Sequence, residues 1–154
     1  RDLTASSDTL FVMNDRPDLA VLAAADGVHV GQEELTVRDV RQIVGPRMLV
    51  GVSTHNLDQA RQAVLDGASY LGVGPTFPSG TKSFNEFPGV EFARSVTSEI
   101  RLPAFAIGGI DALNLDEVLA AGIGRVAVSG AVVAAKDPAD AARTLLNRLK
   151  AGTA

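Results

Sequence analysis

Residues 104–110 read AFAIGGI and residues 125–131 read RVAVSGA. In each, a short aliphatic run ends in a glycine-containing turn. Runs that are apolar at consecutive rather than alternate positions are the pattern of parallel strands buried on both faces. Glycine admits close backbone approach, so the amide N–H groups after such a strand can point at a phosphate. Tight strand-to-helix turns also want glycine, so either stretch alone says little. Two of them on consecutive strands, late in the chain, separate two architectures. A doubly wound open sheet usually carries its phosphate turn after the first strand. A (β/α)8 barrel holds phosphate in the loops after strands seven and eight. The late position favours the barrel.

Upstream, four further apolar runs read as strands: Leu10–Met13, Gly27–Val30, Leu49–Ser53 and Tyr70–Gly74. With Ala104–Ile107 and Val126–Val128 they make six. Helix-length segments lie between and after them: Pro17–Ala25, Val37–Val44, Leu57–Asp66, Gly89–Thr97, Leu115–Ala121 and Asp137–Lys150. Their boundaries carry the usual signals, a proline in the first turn at Pro17 and stop glycines at Gly45, Gly67 and Gly122. Strand–loop–helix alternation predicts a parallel sheet with helices packed outside it. If the last two strands are the seventh and eighth, the first visible one is the third. The expected fold is therefore α/β, a (β/α)8 TIM-barrel type incomplete in this chain, with about six βα units (strands 3–8). No linker or low-complexity stretch interrupts it, so residues 1–154 form one domain.

Composition narrows the function. A net charge of -4 gives no reason to expect nucleic acid or an anionic membrane as partner. No segment has the ~20 apolar residues of a membrane span. The absence of cysteine excludes disulfides, thiolate metal sites and cysteine nucleophiles, and fits a cytoplasmic location. An anionic substrate would have to be held by local devices.

Those devices sit at strand ends, where barrel active sites lie. Asn14-Asp15 follows the first strand. A carboxylate there can hold Mg2+ and the amide can bind an oxyanion; on residue types alone, a cap for the helix beginning near Pro17 is the stronger reading. Gln32, Glu33 and Glu34 follow the second strand. They offer a second oxygen ligand, or an acidic first turn favoured by the helix dipole. Two acidic strand ends on adjacent strands shift the balance toward a metal. Ser53, Thr54 and His55 follow the third strand. Ser53 can hydrogen-bond a phosphate, whereas His55 reads as a capping or structural residue. After the fourth strand, GVGPTFPSGTKSF presents Ser79, Gly80, Thr81 and Lys82, the hydroxyls, flexible glycine and cation that an anion loop needs. It is not a P-loop.

In order, LFVMNDRPDLA, ADGVHVGQEEL, LVGVSTHN, YLGVGPTFPSGTK, PAFAIGGI and RVAVSGA resemble the thiamine-phosphate synthases, from about Leu10 to about Arg148. The combination of NDRP, HxGQE and GPxxPxxTK carries the specificity. The resemblance implies joining of a pyrimidine diphosphate to a thiazole phosphate with release of pyrophosphate. It implies that Asn14 contacts the diphosphate and that Asp15 ligates Mg2+. The second metal ligand falls on Glu34, where the family usually has Asp. Ser53 would sit near the bridging oxygen of the diphosphate. Ser79, with Ser in place of the commoner Thr, and Thr81 would bind the thiazole phosphate beside Gly80, and Lys82 would contact the departing pyrophosphate. Gly109, Ser129 and Gly130 would give backbone amides to the thiazole phosphate. Ser53 and Lys82 are the residues it marks as catalytic.

The family's Gln-x-Arg-x-Lys motif, whose basic residues grip the diphosphate, has no counterpart in the sequence. Its absence leads to the expectation of a missing N-terminal piece or of homo-oligomerisation through an open sheet edge. Two alternatives follow. One is a thiazole tautomerase, which shares the fold without needing Mg2+ and is disfavoured by Asp15, Glu34 and Lys82. The other is a catalytically impaired phosphate-ligand binding domain.

Overall fold

A computed structural model describes residues 1–78 and 87–152. Six parallel strands form one sheet in sequential order: β1 (Val12–Asn14), β2 (Gly27–Val30), β3 (Leu49–Thr54), β4 (Tyr70–Val73), β5 (Ala104–Ile107) and β6 (Val126–Ala127). Helices α1 (Pro17–Leu22), α2 (Val37–Val44), α3 (Leu57–Leu65), α4 (Gly89–Glu99) and α5 (Leu115–Ala120) connect them. The four-residue α6 (Gly130–Val133) and α7 (Pro138–Gly152) follow β6. Every neighbouring pair is parallel, and the sheet curls as part of a TIM-type barrel.

Strand register sorts the side chains onto two faces, because directly paired residues share a face and the period is two. Val28, Val30, Val50, Val52, Leu71, Val73 and Ala106 lie on one face and are buried. Against them pack Ala20 of α1, Val37 and Val40 of α2, Ala60 and Ala63 of α3, Phe92, Ala93 and Val96 of α4, and Leu115 and Val118 of α5. This is the core. Small residues recur on the helices where they pack closely against the sheet. The other face carries Asn14, His29, Gly51, Ser53, Tyr70, Gly72, Phe105 and Ile107, and is only partly covered.

Most elements differ from the sequence reading at a boundary, the majority by one or two residues at an end. The first strand begins at Val12, because the Phe11 N–H turns to the Asp26 carboxylate at 2.8 Å instead of entering the ladder. Helix α1 ends at Leu22 rather than Ala25, since Ala24 adopts φ 49°. Strand β6 is only two residues long. The short helix α6 was not expected; its Gly-Ala-Val-Val sequence lies within what reads as a phosphate turn.

Candidate active site

The loops leaving the C-terminal ends of the strands gather the chemistry. After β1, Asp15 sits at φ 60°, in the left-handed region, with its N–H bonded to the His29 carbonyl at 2.8 Å. That bond extends the β1–β2 ladder by one residue and swings the carboxylate out of the strand direction. The Asn14 amide donates to Asp15 Oδ2 at 2.6 Å. Neither residue caps α1. Its N-cap is Arg16, without a side-chain cap bond, so the structure gives these two polar groups no helical duty.

After β2, the segment bearing Gln32, Glu33 and Glu34 precedes α2 rather than opening it. Thr36 is the N-cap, its hydroxyl accepting from the Asp39 N–H, and Asp39 is the first-turn acid. The helix-dipole reading of Glu33 and Glu34 is therefore overturned. Glycine at 31 leaves room for the Glu34 carboxylate to turn back over the end of β2. Asp15 and Glu34 thus follow neighbouring strands, and both offer hard oxygen donors. Among the described residues, no cluster of three or more His, Cys, Asp or Glu is placed to hold a metal. A cation here would take two carboxylates and complete its shell with substrate oxygens and water, the habit of Mg2+.

After β3, Ser53 lies on the partly covered face. Its carbonyl accepts from Gln32 Nε2 at 2.6 Å, which ties the β2 loop to β3. Its hydroxyl lies 3.0 Å from His29 Nε2, and His29 Nδ1 lies 3.1 Å from the Tyr70 hydroxyl. Burial pushes the His29 imidazolium below its ordinary pKa, against the opposing pull of the Asp15 carboxylate, and burial raises the Tyr70 phenol. Thr54 is buried and donates to the Gly72 carbonyl at 2.9 Å. His55 Nδ1 meets the Gly74 carbonyl at 2.6 Å, and its N–H meets Gln59 Oε1, the structural role expected of it.

After β5, Gly108 and Gly109 take φ 95° and 63°. A Cβ on Gly109 would lie 2.4 Å from the Pro78 carbonyl oxygen, so only glycine lets this turn pass the end of the β4 loop. Asn114 Nδ2 holds the Gly109 carbonyl at 2.9 Å, which fixes this turn. After β6, Ser129 and Gly130 are exposed, and a Cβ at 130 would meet nothing within 4 Å.

Asn14, Asp15, Glu34, Ser53, Gly109, Ser129 and Gly130 therefore all stand at the C-terminal rim of one sheet. Ser79, Gly80, Thr81 and Lys82 lie outside the described residues. Sequence reasoning missed His29 and Tyr70 as parts of the site. The available signal was a histidine on the otherwise aliphatic strand GVHV.

The thiamine monophosphate synthase family model matches residues 1–132. The chain belongs to the thiamine monophosphate synthase family. It is 53% identical over 135 residues to the thiamine-phosphate synthase of Rhodopirellula baltica, covering 84% of this chain and 36% of that one. It is 49% identical over 152 residues to the thiamine-phosphate synthase of Gloeobacter violaceus, covering 99% and 45%. A solved thiamine phosphate pyrophosphorylase from Pyrococcus furiosus superposes with a TM-score of 0.90 at 34% identity, over 99% of this chain and 73% of that one. The chain thus spans less than half the length of those two synthases. No helix among the described residues is long and apolar enough to cross a membrane.

Proposed function

We propose that this chain forms the phosphate-binding rim of a thiamine-phosphate synthase and takes part in joining hydroxymethylpyrimidine diphosphate to thiazole phosphate, in the cytoplasm. The observation that carries the reading is the gathering of Asn14, Asp15, Glu34, Ser53, Gly109, Ser129 and Gly130 at one rim of a parallel sheet, on a chain of this family.

The reaction suits these groups. The bond between the pyrimidine methylene and the diphosphate oxygen breaks, and both electrons leave with pyrophosphate. The thiazole nitrogen then gives its lone pair to the pyrimidine methyl cation, forming the C–N bond and a thiazolium. No protein nucleophile is needed, and no proton must be taken from either partner. What the protein supplies is placement and stabilisation of the negative charge that develops on the leaving group. Mg2+ held by Asp15 and Glu34 would neutralise part of that charge. Asn14 and Ser53 donate to diphosphate oxygens from the partly covered face. The amides of Gly109, Ser129 and Gly130 hold the thiazole phosphate, with Ser79, Gly80 and Thr81 as further binding residues by family resemblance. By the same resemblance Lys82 meets the departing pyrophosphate. A tautomerase or a purely binding role is not favoured, because neither gives Asp15 and Glu34 anything to do.

The test is pyrophosphate release from the two precursors by the purified chain with Mg2+. Release that needs both precursors, stops with EDTA and falls at least tenfold in Asp15→Asn supports the reading. Binding of thiazole phosphate without turnover contradicts it. The expectation of a homo-oligomer, or of pairing with further βα structure, draws support from the exposed Leu10 before β1, Leu22 of α1 and Val133 of α6, which belong to the first and last units of the sheet. Light scattering that finds a lone soluble monomer would count against it.

A further inference from the structure

Three side chains from three adjacent strands form one hydrogen-bonded line on the partly covered face: Tyr70 of β4, His29 of β2 and Ser53 of β3. Small residues make the line possible. His29 and Tyr70 lie at one level of the sheet with Gly51 between them, and a Cβ on Gly51 would fall 2.0 Å from the Tyr70 ring. A Cβ on Gly72 would crowd the imidazole at 3.3 Å. The Tyr70 ring packs edge-on against Phe105, with centroids 5.4 Å apart, which fixes where its hydroxyl points.

The direction of these hydrogen bonds determines what Ser53 can do. The Tyr70 hydroxyl has one proton, and among the described residues its hydrogen-bond partner is His29 Nδ1. A half-buried hydroxyl can give its proton to an imidazole nitrogen that it faces. With Nδ1 as the acceptor, a neutral imidazole carries its own proton on Nε2. In that tautomer Nε2–H donates to Ser53 Oγ, 3.0 Å away. With its oxygen already accepting from His29, Ser53 keeps its own proton for a partner at the rim. The opposite tautomer would draw that proton back to the imidazole and turn only serine lone pairs toward an anion.

We infer that His29 is a positioning residue, held as the Nε2–H tautomer by Tyr70, so that Ser53 donates a hydrogen bond to an anionic oxygen of the diphosphate. The tautomer can be tested apart from the function; the identity of the oxygen rests on the synthase reading above.

Two measurements test it, and they fail independently. The chain has two histidines, so long-range 15N–1H correlation spectra of the full chain near pH 8 resolve each ring, with His29→Gln giving the assignment. His29 is expected to carry its proton on Nε2, and His55, whose Nδ1 faces the Gly74 carbonyl, on Nδ1. A proton on Nδ1 of His29 overturns the inference. In the pyrophosphate-release assay, His29→Met should lower kcat roughly tenfold with KM little changed, since an oriented donor to a charged group is lost. His29→Gln retains an N–H aimed at Ser53 and should restore most of the rate. The double variant His29→Met/Ser53→Ala should be no slower than Ser53→Ala alone. Equal loss in the Met and Gln variants, or additive losses in the double variant, overturns it. Absence of turnover in the wild-type chain sinks the synthase reading, and the spectra still decide the tautomer.

Discussion

The two rims of the sheet use polar residues in opposite ways. At the N-terminal rim they face inward and tie loops together. Arg41 of α2 donates to the Gly67, Gly45 and Met48 carbonyls and to Ser69 Oγ, and that hydroxyl in turn accepts from the Val50 N–H. Asp26 holds the Phe11 N–H and the Arg1 guanidinium. At the C-terminal rim, Asp15 holds a left-handed backbone conformation, two consecutive glycines take positive φ, and Asn14, Glu34, Ser129 and Gly130 face solvent. Satisfied polar groups stabilise a fold, whereas strained backbone and outward-facing polar groups are the marks of a binding site. The division matches the stability face and the functional face of this barrel type.

Substitutions can break that contrast. The largest effect is expected from Arg41→Met, which leaves three carbonyls and Ser69 without their donor. Urea unfolding should show a loss of about 3 kcal/mol, with thiazole phosphate affinity unchanged. Next is Gly109→Ala. A Cβ at φ 63° that also meets the Pro78 carbonyl must shift the turn, and calorimetry should show thiazole phosphate binding weakened roughly tenfold, with stability less affected than in Arg41→Met. The smallest is Asp26→Asn. The Phe11 N–H, and after it Arg1, hold the Asp26 carboxyl below its ordinary pKa of 3.8. A carboxylate depressed in the folded state stabilises above its unfolded pKa and loses that contribution as pH falls through the folded value. Wild type should therefore melt slightly higher than Asp26→Asn near neutral pH, and the gap should close below pH 3.8. A gap that widens in acid would contradict the assignment.

The N-terminal rim was the less legible of the two in the sequence. Apolar runs and stop glycines marked Gly27–Val30, Val37–Val44 and Ala104–Ile107 to the residue, because those signals are local. The Arg41 clamp spans 28 residues to Ser69 and has no local signature. The C-terminal rim was legible where glycine and acid patterns sit at strand ends, as at Asp15, Gly109 and Gly130. The line from Ser53 through His29 to Tyr70 was not, since it depends on cross-strand register over 24 and 41 residues. The cap reading of Asn14-Asp15 failed for a related reason. Asp15 bonds backward to β2, so its turn belongs to the sheet rather than to the helix.

The most direct test of a functional rim opposite a structural one is a titration of the 15N-labelled chain with thiazole phosphate, followed by amide chemical shifts. The account predicts shifts concentrated at Gly108, Gly109, Ser129, Gly130 and Ser53, with the amides of Gly45, Gly67 and Ser69 unmoved. Shifts centred on the N-terminal rim, or no saturable shift at any amide, would contradict it.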